Sequence, residues 1–131
     1  MTTTPINTAL TRLIDNLSDT ADTAAELADG LRDAIAADAR TATSDTLADL
    51  VSRLQRAHVF ADTFRHAALM LSAGASDDEV WQWMFDLMLA GADDTWSGRG
   101  NDQRRRLHDA RAESFRDLQA ALRRFEREVE D

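Results

Sequence analysis

The residues best equipped for chemistry sit together on one predicted helix. His58, Asp62 and His66 follow one another at steps of four, which sets two imidazoles and a carboxylate along one broad face. Those are ordinary ligand types for zinc and related metals. Helical di-metal sites, however, draw Glu-x-x-His pairs from several helices, and no other predicted helix offers a matching His on its core side. The histidines therefore read as ordinary, partly buried side chains, and no metal is expected. The chain has no Cys and no Tyr. Without them there is no thiolate site, no disulfide frame and no phenolic acid. No Ser/His/Asp set assembles either, so neither a nucleophilic centre nor a cofactor is expected.

The second chemical cluster is cationic. Arg104, Arg105 and Arg106 fall in the first turn of the last predicted helix, just after a Gly-rich loop that holds Trp96 and Arg99. Cations there oppose the helix dipole, at a cost of ~0.3–1 kcal/mol each near a surface. Something should offset them. The acids Asp93, Asp94 and Asp102 are close in sequence, the carboxylates of the first helix are another candidate, and a protein partner or a phosphate would also serve. A phosphate could use Arg99 together with the Gly98 and Gly100 amides. The loop lacks the GK[ST] ending of a P-loop, so nucleotide binding of that kind is excluded.

Two short matches to known families lie in these stretches. Arg53, four residues, then His58 resembles the motif of the HEPN ribonucleases, a small all-α family. That resemblance implies cleavage of the RNA backbone by Arg53 and His58, across a dimer cleft. Leu54 departs from the polar residue usual there, and five residues turn through roughly 140°, so the two side chains diverge on a regular helix. Trp96, Ser97 and Gly98 are similar to the loop tripeptide of the WxG family of helical hairpins. Long helices do not flank that tripeptide symmetrically here, and the family's Tyr-based export signal is missing.

The elements that must position these residues are helices throughout. One Pro and five Gly in 131 residues, with 44% hydrophobic content, suit a single all-α domain with a real core. Thr4 and Pro5 make a helix start. From there apolar residues recur at steps of three and four: Ile6, Leu10, Leu13, Leu17, Thr20, Ala24, Leu27, Leu31 and Ala34. Ile14, Ala21, Ala28 and Ile35 widen this seam on one side. Six carboxylates, Asp15, Asp19, Asp22, Glu26, Asp29 and Asp33, line the opposite face. Ser44 or Asp45 is predicted to cap a second helix, which ends at a left-handed Gly74. Its seam runs Leu47, Leu50, Leu54, Ala57, Ala61, Phe64, Ala68 and Leu71, and the short connection makes it an antiparallel partner of the first. Ser76 and Glu79 form a capping box for a short third helix that Gly91 closes. The fourth helix starts at Asn101 or Asp102, with an apolar row of Leu107, Phe115, Leu118, Leu122, Phe125 and Val129. The predicted helices cover 5–38, 45–73, 77–90 and 102–129. The predicted fold is an elongated antiparallel bundle of three long helices plus one short, very apolar one.

That short helix carries the strongest signal. Val80, Trp81, Trp83, Met84, Phe85, Leu87, Met88 and Leu89 cover an arc of roughly 240°. A helix lying on one surface needs little more than ~100°. Trp81 and Trp83 project about 160° apart, so both cannot enter one small core. Two readings stay open: core wedged between the helical hairpin and helix four, or a face shared with another chain, in which Trp81, Trp83, Met84, Met88 and Trp96 are the anchors. Arg99, Arg104, Arg105 and Arg106 would then add polar contacts.

Charge narrows the role. The net charge is −9, and every positive residue is Arg. So acidic a chain is a poor general binder of nucleic acid, except through its local Arg patch. No apolar run reaches the ~18 residues of a membrane span, and the first residues lack the features of a signal peptide, so a cytoplasmic location is expected. The predicted function is a non-catalytic helical subunit or adaptor that self-associates, most simply as a dimer, or docks a protein partner through the third helix and the loop after it. The alternatives are the HEPN-like ribonuclease, and an acidic nucleic-acid mimic acting through the carboxylate row.

Overall fold

Helix α1 (Ile6–Asp38), α2 (Ser44–Ser72), α3 (Asp77–Ala92) and α4 (Asn101–Glu130) account for nearly all of the chain, and no strand occurs among the described residues. The computed structural model describes residues 5–92 and 101–130, with side-chain surroundings for 5–89 and 107–129. The fold is an all-α bundle, as the periodicity predicts.

The helix ends follow from local chemistry. Pro5 precedes the first turn of α1 and its carbonyl accepts from the Ala9 N–H at 3.0 Å. Thr4 lies outside the described residues. Thr43, rather than Ser44 or Asp45, caps α2: its hydroxyl accepts the Thr46 N–H at 3.2 Å. This displaces the predicted cap by one residue, because an extended Thr43 (φ −70°, ψ 161°) carries its oxygen to the third helical N–H. Asp45 then falls within the first turn, where a carboxylate suits the dipole. At the far end Gly74 takes φ +101°. Its N–H reaches the Leu71 carbonyl at 3.1 Å, and the Ala75 N–H reaches that of Met70 at 3.0 Å, the two bonds of a Schellman close. A residue with a Cβ would be strained there. Ser76 accepts the Glu79 N–H at 3.2 Å and opens α3. Gly91 does not end this helix, which continues to Ala92; among the described residues only Gly74 adopts the left-handed backbone that closes a helix.

Cross-helix pairs give the topology. Asp22 meets Arg65 at 3.4 Å and Arg32 meets His58 at 3.2 Å, so α1 and α2 run antiparallel. α4 lies antiparallel to α1: Arg12 pairs with Glu128 at 3.3 Å, while residues near Thr20 share a crevice with Asp117 and Ala121. The core occupies one end of the bundle. There Leu13, Leu17 and Ala21 of α1 meet Phe64 and Leu71 of α2, Val80 and Met84 of α3, and Phe115, Leu118, Leu122 and Phe125 of α4. Each large side chain fully buried here contributes ~1.5–3 kcal/mol.

The seam of α1 is rotated from its predicted line. Ala21 and Ala28 are each 1% exposed, whereas Leu27, placed in the seam by its spacing, is 58% exposed. Small side chains let α2 settle close over the Leu17–Ala21–Ala28 row, and this turns Leu27 outward. One buried polar pair sits within the packing. Ser114 donates to the Arg111 carbonyl at 2.8 Å, which leaves its oxygen to accept from the Thr63 hydroxyl at 3.1 Å. The rotation of the seam predicts an asymmetry. Leu17→Ala should cost about 2–5 kcal/mol in denaturant unfolding of a dilute solution, and Leu27→Ala no more than ~0.5 kcal/mol. Equal costs would mean that both leucines face α2.

Candidate interaction surface on α3

α3 is covered by its own chain on three sides. Val80 and Met84 form the inner side, 0% and 1% exposed. Trp83 projects to one flank, where its indole stacks on His66 of α2 with centroids 4.3 Å apart and planes at 14°. Its edge meets Phe115 of α4 at 5.8 Å. Trp81 projects to the other flank. Its Nε1–H donates to Glu126 at 3.0 Å, and the Arg123 guanidinium lies 5.7 Å from its ring centre. The two indoles diverge as the helical geometry requires. Both nevertheless find partners within the chain, because α2 and α4 stand on either side of α3.

Met84 lies inside the core and offers no surface, so it cannot act as a contact anchor in this fold. Met88 and Leu87 are partly buried against the same core. What remains outside is a strip that was not singled out from the sequence: Phe85 at 53% and Leu89 at 65% exposure, next to the part-exposed Trp81. These three residues stand at steps of four on one face. Trp81 stacks on Phe85 with centroids 6.1 Å apart. Gln82 donates to Asp86 at 2.9 Å along one border of the strip. Trp and Met drew attention by residue type. The signal that would have found Phe85 and Leu89 was angular: both point more than 90° away from Val80 and Met84.

The other predicted site residues are dispersed. Trp96 and Arg99 lie outside the described residues. Arg104, Arg105 and Arg106 belong to the first two turns of α4, and their side chains fall outside the described set. His66 is engaged with Trp83, His58 with Arg32, and Asp62 is exposed. Among the described residues no group of three or more His, Cys, Asp or Glu is arranged to hold a metal ion. Arg53 turns to Asp49 at 3.0 Å while His58 turns to α1, so the two do not converge within one chain. All six carboxylates of the α1 row are exposed; Asp22 pairs with Arg65, and Asp29 with Arg32 at 3.5 Å.

No protein-family model, curated protein or solved structure matches this chain. Among the described residues no helix is long and apolar enough to cross a membrane.

The division of α3 into covered flanks and an open strip can be checked by substitution. Trp83→Ala should lower unfolding free energy by roughly 2–4 kcal/mol, since it empties a site walled by His66 and Phe115. Phe85→Ala should cost less than ~1 kcal/mol. A large loss at Phe85 would place it in the core and remove the strip.

Proposed function

We propose that this chain is a non-catalytic helical subunit that assembles with another protein chain through the outer strip of α3. Phe85 and Leu89 are its centre and Trp81 its edge. The stretch that follows, with Trp96, Arg99 and Arg104 to Arg106, adjoins the strip in sequence and would supply polar contacts at its rim. One observation carries this reading. Two large apolar side chains stand exposed side by side on the most apolar helix of the chain, beside an indole that is partly exposed. Scattered apolar residues on a surface need no explanation, but a contiguous strip on a helix is an interaction surface in waiting. Covering it returns ~25 cal/mol for each Å² of apolar area removed from water.

The test is the native mass of the protein, purified and in extracts of its source cells. The proposal expects a mass above the 14.6 kDa of one chain in at least the extract. It also expects Phe85→Ser with Leu89→Ser to return it to that of a single chain, with the helical circular dichroism intact. A single-chain mass in both settings contradicts it.

A further inference from the structure

We propose that the chain covering this strip is a second copy, which receives α3 in the groove between α1 and α2. The inference rests on the reading of α3 as an assembly surface and adds the identity of the partner and the receiving site. The groove encloses about 820 Å³. Its floor is apolar, made of Ala24, Leu27 and Leu31 from α1 and Ala57 and Phe60 from α2, and Arg53 and Arg56 stand on its α2 wall.

Its position explains why it is open. Asp19 and Thr20 border both this groove and the crevice where α4 meets α1. The groove is thus the continuation of the slot that α4 occupies further along. At the core end three helices close that slot. Beyond Thr20 the furrow of the α1/α2 pair is lined by those two helices alone among the described residues, and the outward-turned Leu27 lies in it. A third helix is the element that fits.

The outer strip of α3 has the required size and charge. Trp81 to Leu89 spans ~12 Å at 1.5 Å per residue, and the α1 wall from Thr20 to Leu31 spans ~16 Å. The strip is apolar and bordered by Asp86, with Asp78 about two turns earlier. The α2 wall of the groove is basic. Arg53 and Arg56 are both well exposed; Arg53 pairs with Asp49, and Arg56 pairs with Glu113 and lies over the Phe60 ring at 5.3 Å. Such pairs are worth little and can be exchanged. Asp86 set toward Arg53 and Arg56 is also set away from Asp19 on the α1 side, which selects one orientation of the docked helix. Each copy carries one strip and one groove, so a two-fold pairing fills both twice and closes the assembly.

Because the chain has no Cys, single cysteines report the contact. Leu27→Cys and Leu89→Cys, both at exposed positions, should form a disulfide between copies when the two variants are mixed and oxidised, and neither should do so alone. Leu27→Arg should raise the dimer dissociation constant at least ~30-fold. Three results would overturn the inference. One is a purified protein of single-chain mass that runs larger in extracts, which leaves the α3 surface standing with a different partner. Another is a dimer that Phe85→Ser with Leu89→Ser dissolves but Leu27→Arg does not. The third is a dimer with no disulfide in the mixture.

Discussion

The constraint behind this structure is the circumference of α3. Apolar side chains run most of the way round it, and only two helices stand close enough to cover them. α2 and α4 seal Val80 and Met84 between them and cover the indoles to the sides: Trp83 against His66 of α2 and Phe115 of α4, Trp81 against Glu126 and Arg123 of α4. With those contacts made, no element among the described residues is left for Phe85 and Leu89. α4, like α2, touches all three other helices as a result. It meets α1 through Glu128, α2 through Ser114 and Glu113, and α3 through Phe115 and Glu126.

This arrangement divides the bundle into two unlike halves. The end built from the first half of α1, the second half of α2, α3 and the second half of α4 holds the large buried side chains. The other end is mostly the α1/α2 pair, held by close approach at Ala28 and Ala57 and by the Arg32–His58 contact, while its ion pairs Asp29–Arg32 and Asp49–Arg53 lie within single helices. Exposed pairs of this kind contribute at most about 1 kcal/mol each, so stability resides at the core end. The acidic face of α1 adds to solubility through its charge and takes little part in packing.

Much of this was legible in the sequence, and the misses have physical causes. The α1/α2 hairpin, the Gly74 close, the Ser76 cap and the apolar row of α4 follow from spacing and from residues whose backbone or capping preference is strong. The α2 cap was displaced by one position because Thr43, Ser44 and Asp45 are all competent caps, and only the path of the chain chooses among them. The seam of α1 was centred on the line through Leu27, with Ala21 and Ala28 at its side; close packing brought those alanines to the centre and turned Leu27 out. Ser114 lies beside the predicted apolar row of α4, and its place in the core depends on Thr63 and the Arg111 carbonyl, which no local spacing reveals. Around α3 the total apolar load was readable and its distribution was not. Residue type pointed to Trp and Met, while the directions of α2 and α4, which no local pattern encodes, buried Met84 and left Phe85 and Leu89 outside.

The most direct measurement is amide hydrogen exchange of the native protein across a dilution series. If the outer face of α3 is covered by a second copy, exchange in residues 81–89 and in 20–31 slows together as concentration rises, while the Leu118–Phe125 stretch of α4 is unchanged. Exchange in α3 that is the same at every concentration would contradict it.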